Sequence, residues 1–151
     1  MEKQFEFLKG NRLIILKAIE DLSIEQLNKI PDNFTNNIVW HMGHLVVIQQ
    51  LLCYKLSGLP MAVNNDMIAE YQKGTAPKRE INVEEFEKIK NQFLTLPDTF
   101  KEDYTHKIFV KYQPYVSSLN ITLNTIDDAI VLNNFHEGIH LGYILALKKL
   151  V

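Results

Sequence analysis

Apolar residues recur at intervals of three, four and seven positions in four long segments of the chain. The first segment spans residues 2–22, and the second, residues 37–56, is apolar around most of its circumference. The third follows Asn82 with the sequence VEEFEKIKNQFLTL, and the fourth follows Thr125 with the sequence IDDAIVLNNFHEGIHLGYILALKKLV. Because side chains three or four residues apart lie on one face of a helix, the pattern predicts four helices, of which the second is largely buried.

Capping residues and helix breakers indicate where these helices begin and end. Asn82 and Thr125 have side chains that accept hydrogen bonds from the first turn of a helix, so both are predicted N-caps. Gly58 and Pro60 are expected to end the second helix, because glycine adopts the left-handed conformation of a C-terminus and proline cannot continue a helix. Pro97 lacks a backbone N–H and is expected to kink or end the third helix.

Two long connections join the predicted helices. The first, residues 57–81, contains a segment at residues 66–72 that is expected to form a short helix. The second, residues 100–123, is rich in aromatic and β-branched residues, but an isolated strand cannot make a sheet, so we expect an extended crossover. Four long helices with two long connections predict an all-α fold, an antiparallel four-helix bundle that forms a single domain over residues 1–151.

Charge and cysteine content narrow the classes of partner. Sixteen basic and eighteen acidic residues nearly cancel, so no strong field favours nucleic acid or a membrane surface. No segment qualifies as a transmembrane span, and the first residues lack the apolar run of a signal peptide. One cysteine, Cys53, excludes an intrachain disulfide and is expected to be buried, facing away from His44. We therefore expect a cytoplasmic protein that binds neither nucleic acid nor membrane.

Four of the five histidines form two pairs at helical spacing. His136 and His140 lie four residues apart in the sequence HEGIH, and His41 and His44 lie three apart in the second helix. Imidazoles one turn apart on one helix face have the arrangement that two ligands of one cation need. The sequence HEGIH also spells the two-histidine signature of zinc peptidases.

The residues after HEGIH argue against a peptidase. Where the extended peptidase signature has glycine and a third histidine, this chain has Tyr143 and Ala146, and no acidic residue follows His140. A third ligand is therefore expected from the second helix, either His44 or His41. Three imidazoles leave coordination positions open for water or substrate, and zinc, nickel, iron and cobalt all accept such ligands.

Three blocks of the chain, NNIVWHMGHL, ITLNTIDDAI and FHEGIHLGYILALKKL, resemble the DinB-like (YfiT-like) superfamily of four-helix-bundle metalloproteins. The resemblance covers nearly the whole chain, and it implies a metal-binding triad of His44, His136 and His140. One position departs from the family pattern, because Tyr143 stands where the family usually has glutamine.

The resemblance implies a function only in outline. Characterised members of this superfamily include transferases and isomerases that use low-molecular-weight thiols. The activity that the resemblance implies is therefore metal-dependent thiol S-transfer, or hydrolysis, on a small electrophilic molecule. The expected cofactor is one divalent metal ion, with zinc, nickel and iron left open. The alternative is a non-catalytic bundle that binds a metal or a ligand in a structural or stress-response role.

Five further residues are candidates for supporting roles. Glu137 points about 100° away from His136, so a solvated or supporting carboxylate is favoured over a catalytic base. Asn133 and Tyr143 lie near the histidine pair, where two alternatives stay open: they orient ligands or contact substrate, or they serve ordinary packing. His41 is expected to support a ligand. Arg12 falls on the apolar face of its helix, where a buried guanidinium requires a partner such as Glu137 or a substrate carboxylate.

The crossover and the surface provide the remaining expectations. Tyr112 and Tyr115 either line a substrate entrance or anchor the crossover to the core, and His106 is expected to be solvated. The apolar circumference of the second helix suggests a homodimer, if one bundle alone cannot cover it.

Overall fold

A computed structural model describes residues 1–151 and contains six α-helices and one two-stranded hairpin. The helices are α1 (Glu2–Ile19), α2 (Ile24–Asn28), α3 (Ile38–Gln49), α4 (Asn65–Tyr71), α5 (Val83–Thr105) and α6 (Ile126–Leu147). Helix α3 continues as a π-helical turn, Gln50–Tyr54, and a 3-10 turn, Lys55–Ser57, and α6 ends in the 3-10 turn Lys148–Leu150. The strands are β1 (Tyr115–Val116) and β2 (Thr122–Leu123), which pair antiparallel. None of the helices combines the length and the apolar character needed to cross a membrane.

Helices α1, α3, α5 and α6 form the predicted all-α four-helix bundle with long connections. Asn82 and Thr125 are the N-caps of α5 and α6, and each is part of a capping box. In a capping box the cap side chain and the side chain three residues later each bond a backbone N–H that the helix would leave free. The predicted starts of both helices are therefore confirmed.

The helix directions depart from a fully antiparallel arrangement. Helices α1 and α5 are antiparallel, since Lys9 contacts Asp98 while Glu2 contacts Lys101. Helices α1 and α6 instead run in the same direction, because Asn134 donates to Gln4 near the start of α1 while Lys148 donates to Asp21 just past the end of α1. Helix α3 is antiparallel to α6, since His41 contacts His140 while His44 contacts His136, so α3 and α5 also run in the same direction. The connection 58–82 is long enough to carry the chain back across the bundle.

Of the two outcomes expected at Pro97, a kink or an end, the structure contradicts the end, because α5 continues past this residue. A proline leaves the carbonyl four residues earlier without its helical N–H donor. In this protein that carbonyl belongs to Phe93, and it accepts a hydrogen bond of 3.0 Å from Nη1 of Arg12 on α1. The expected break is thus compensated from a neighbouring helix, and α5 continues to Thr105.

The crossover between α5 and α6 is shorter and more ordered than predicted. Residues 100–105 are helical, and near the end of the remaining segment two residues of β1 pair with two of β2, Tyr115 opposite Leu123. Asn120 takes a left-handed conformation, φ 58°, in the turn between the strands, a conformation that asparagine tolerates. Leu123 is buried and packs into the core beside α6, so the hairpin is anchored to the bundle.

Helix α3 is covered by the rest of the same chain. Every one of its residues is buried except Ile48, which is partly buried. Most of its apolar side chains belong to a core cluster that also includes residues of α1, α5 and α6. A second copy of the chain is therefore not needed to cover α3, and the reason given for a homodimer is removed.

Candidate metal centre

The ring nitrogens of three histidines converge between α3 and α6. Nε2 of His136 lies 3.3 Å from Nε2 of His44 and 3.0 Å from Nε2 of His140. The potential ligand atoms of the three residues all lie within 4.8 Å of one another. Helices α3 and α6 run in opposite directions, since His41 faces His140 while His44 faces His136.

These separations match the geometry of a small divalent cation. In a tetrahedral site with metal–nitrogen bonds of about 2.0–2.1 Å, neighbouring nitrogens are about 3.3 Å apart. The observed separations of 3.0 and 3.3 Å are close to that value. His136 is therefore at a suitable distance from each of the other two histidines, and the potential ligand atoms of His44 and His140 lie within 4.8 Å of each other.

A hydrogen bond on the far side of the His44 ring leaves its Nε2 lone pair available, and the partner of His140 allows the same tautomer. Nδ1 of His44 is 2.6 Å from the backbone carbonyl of Tyr71, which can only accept, so this nitrogen carries the proton. Nδ1 of His140 is 2.7 Å from Nδ1 of His41, and one of these two donates to the other. Nδ1 of His136 is buried with no partner, so the polar contacts of His136 are with His44 and His140. A cation would be coordinated by all three Nε2 atoms at once. A proton on one of these nitrogens can make a hydrogen bond to only one of the other two.

Burial keeps these imidazoles neutral, which is the form that binds metals. Burial, followed by the proximity of the other imidazoles, lowers the pKa of His136 to about 4 and that of His140 to about 2. The same causes lower the pKa of His41 to about 4. Burial also lowers the pKa of His44, although its bond to the Tyr71 carbonyl opposes the shift.

Aromatic rings hold the cluster in place. The ring of Trp40 stacks on His44 with centroids 4.5 Å apart, and the ring of Tyr143 stacks on His41 with centroids 5.4 Å apart. His41 contacts Nδ1 of His140, whereas Nε2 of His140 is the nitrogen that faces His136. Of the two candidates for the third ligand, His44 is the one whose ring nitrogen lies together with those of His136 and His140.

The three histidines lie in the wall of an open cavity of about 680 Å³, which is within the usual range for small-molecule sites. Tyr143 and Tyr115 also line this cavity. Tyr112 is instead packed against the core around Phe100. Tyr112 therefore anchors the crossover to the core, whereas a role of Tyr115 at a substrate entrance stays a prediction.

Glu137 lies in the core of the bundle rather than in the cavity. Its carboxylate is fully buried and accepts a hydrogen bond of 2.8 Å from Nη2 of Arg12. Nη2 also donates to Oε1 of Gln49, at 2.8 Å. The partner suggested for Arg12 from the sequence is the one it has, and the carboxylate of Glu137 is directed away from the histidines.

Three other candidates also lie apart from the cavity. Asn133 is 1% exposed, and its Oδ1 has no partner. Cys53 is fully buried, and burial raises the pKa of its thiol. His106 is exposed at the C-terminus of α5.

Sequence reasoning missed two residues that support the site. The carbonyl of Tyr71 fixes the tautomer of His44, but any residue supplies a carbonyl, so no sequence signal identifies it. Trp40 lies four residues before His44 on α3, and that helical spacing was a usable signal for contact.

Comparison with known proteins gives one family. The model of the DinB superfamily matches residues 8–144. No curated protein matches the chain.

Proposed function

The chain belongs to the DinB superfamily, and from that premise we propose that it binds one divalent metal ion through His44, His136 and His140. The observation that carries the proposal is the convergence of three neutral Nε2 atoms at distances that suit a tetrahedral cation. Three protein ligands leave at least one coordination position free, and the neighbouring cavity gives a small molecule access to it.

We further propose metal-dependent transfer of a low-molecular-weight thiol to a small electrophilic molecule. A divalent cation lowers the pKa of a thiol that binds it, so that the nucleophilic thiolate is available at neutral pH. The residues of the cavity hold the electrophile and exclude water, and Tyr143, which is half exposed in the wall, is placed to contact it. The thiol sulfur forms a bond to carbon, the bond from that carbon to the leaving group breaks, and the thiol proton passes to solvent.

The absence of a carboxylate from the cavity favours thiol transfer over hydrolysis. No Asp or Glu lines the cavity, and Glu137, at the position of the general base in HExxH metallopeptidases, is paired with Arg12. Hydrolysis at such zinc sites uses a carboxylate to accept the proton of water. A thiol has a lower pKa than water and loses its proton without that help.

A cobalt titration tests metal binding directly. Trp40 is the only tryptophan and stacks on His44, so a paramagnetic ion at His44 should quench its fluorescence, while diamagnetic zinc should not. The expected result is saturable quenching that zinc reverses by competition. His106→Ala should behave like the wild type and His136→Ala should show no saturable quenching. Equal quenching in both variants would contradict the proposed site.

The activity is tested with L-cysteine and a chlorodinitrobenzene, whose chloride is displaced as the coloured thioether forms. Metal-replete protein should accelerate the reaction above a free-metal control, and His140→Ala should remove the acceleration. Glu137→Gln, assayed where circular dichroism shows it folded, should retain it. If the wild type gives no more than the free-metal rate, while chelation lowers its stability, the metal has a structural role only.

A further inference from the structure

The wall of the cavity contains a continuous apolar stripe along α6. Phe135, Ile139 and Tyr143 follow one another at intervals of four residues, and they are 53%, 43% and 48% exposed. Residues four apart lie along one helix face. At a rise of 1.5 Å per residue the stripe is about 12 Å long. Exposed aromatic and aliphatic side chains in a row favour an extended apolar ligand over water.

The hairpin also lines the cavity, with side chains of the same kind. Tyr115 of β1 and Leu119 in the turn are 38% and 51% exposed, and both line the cavity. An apolar molecule in the cavity would therefore have apolar side chains of both α6 and the hairpin within its walls. About 12 Å corresponds to an extended chain of roughly ten carbon atoms at C–C bonds of about 1.5 Å.

The charged side chains of the cavity are all of one sign. Lys55 and Lys73 line it, whereas no Asp or Glu does. Neither lysine is ion paired, and Nζ of Lys73 donates to the hydroxyl of Ser118 at 2.8 Å. In a protein with a net charge of −2, two unpaired ammonium groups beside an apolar cavity attract an anion and repel a cation.

We infer that this cavity binds an organic anion with a long apolar body, such as a monocarboxylate with a chain of about ten carbons. The apolar body lies along the stripe of α6, and the anionic group lies at one of the two lysines of the cavity wall, Lys55 or Lys73. The inference deepens the proposed function, on which it rests, by assigning the electrophile an apolar chain and an anionic group; decanoate has these two features without an electrophilic carbon and serves as a probe of binding. Binding itself needs no metal, because both lysines and the stripe belong to the chain.

Calorimetric titration of metal-free protein with decanoate, below the concentration at which it forms micelles, tests the inference. One molecule of decanoate should bind per chain. Decyltrimethylammonium has a similar apolar body but the opposite charge, and it should bind at least about tenfold more weakly. Hexanoate should also bind more weakly, because it buries less apolar surface. Decyltrimethylammonium binding as tightly as decanoate, or no saturable decanoate binding, would overturn the inference.

Matched variants locate the binding site. Lys55→Gln with Lys73→Gln should weaken decanoate binding roughly fivefold, whereas Lys111→Gln with Lys149→Gln, the same change of charge outside the cavity, should not. Ile139→Asp should abolish binding. Val131→Asp introduces the same charge at an exposed residue of α6 outside the cavity, and it should leave binding unchanged. Equal losses for Ile139→Asp and Val131→Asp would contradict the assigned site.

A zinc titration of the same preparation separates the two proposals. Decanoate binding without zinc binding would remove the proposed metal function and leave the anion site intact. Zinc binding without preferential binding of decanoate over decyltrimethylammonium would remove the anion site and leave the proposed metal function intact.

Discussion

The guanidinium of Arg12 joins three helices to α1 from a position that is 1% exposed. It is paired with the carboxylate of Glu137 on α6, it donates to the Gln49 side chain on α3, and it donates to the Phe93 carbonyl on α5. A buried charge is tolerated only when its partners compensate for the lost hydration. Each partner of Arg12 is therefore left with an unsatisfied polar group if Arg12 is removed.

Replacement of Arg12 should destabilise the protein strongly. Arg12→Met leaves the buried Glu137 carboxylate unpaired, and the expected loss is about 3–5 kcal/mol in the free energy of unfolding. Lys9→Met breaks an ion pair that is about half exposed, so its effect should stay within about 1 kcal/mol. Urea denaturation of both variants measures the difference. A loss for Arg12→Met as small as that for Lys9→Met would contradict the role given to Arg12.

Gly43 permits the close approach of α4 to α3. A Cβ atom at this position would lie 2.5 Å from Cδ1 of the buried Tyr71 ring, and Tyr71 also provides the carbonyl that accepts from His44. Gly43→Ala should therefore cost about 1–3 kcal/mol and weaken metal binding. Gly138→Ala on α6, where a Cβ meets no atom within 4 Å, should instead be neutral or stabilise the protein. Thermal denaturation measures both, and equal effects would show that the contact with Tyr71 is unimportant.

Part of this residue-scale organisation could be predicted from the sequence. The i, i+4 spacing of His136 and His140 places them on one face, and the apolar neighbours of Arg12 imply a buried charge with a partner. The bond from His44 to the Tyr71 carbonyl could not be predicted, because it depends on where α4 packs. The hydrogen bond from Arg12 to the Phe93 carbonyl could not be predicted either, because it depends on how α1 packs against α5.

At the scale of elements, α5 and the crossover show where local rules are insufficient. The caps of α5 and α6 depend on residues within one turn, and the sequence identified both. The continuation of α5 through Pro97 depends on a donor from α1, which is distant in sequence. A local rule therefore predicted a break that a long-range hydrogen bond prevents.

A double-mutant cycle tests this account of α5. Pro97→Ala restores the N–H that can donate to the Phe93 carbonyl, but in the wild type Arg12 already occupies that acceptor. The stabilisation from Pro97→Ala should therefore be larger in the Arg12→Met background, by about 1 kcal/mol. Urea denaturation of the four proteins provides the measurement. Equal stabilisation in both backgrounds would mean that Arg12 does not substitute for the missing N–H.

At the scale of the whole molecule, the antiparallel pairing of α3 with α6 brings the histidines together. The sequence indicated four helices and their apolar faces, but local patterns contain no information about which helices are parallel. The proposed triad nevertheless could be assigned, because the resemblance to a family supplied the pairing of helices that spacing alone left open.

A metal ion at this site would join the second and fourth long helices of the bundle. Because the ion binds the folded protein, zinc at 100 times its dissociation constant should raise the free energy of unfolding by about 2.7 kcal/mol. Thermal denaturation with and without chelator measures the effect. His136→Ala should abolish the effect of zinc. If zinc stabilises His136→Ala as much as the wild type, the ion binds elsewhere.

The most direct test of the central claim is elemental mass spectrometry of untagged protein, purified without chelator and then loaded with zinc, nickel or iron. Wild type and His106→Ala, which changes an exposed histidine outside the site, should each hold close to one ion per chain. His140→Ala should hold almost none. Equal metal content in His140→Ala and His106→Ala, or no metal in any of the three proteins, would contradict a metal centre at His44, His136 and His140.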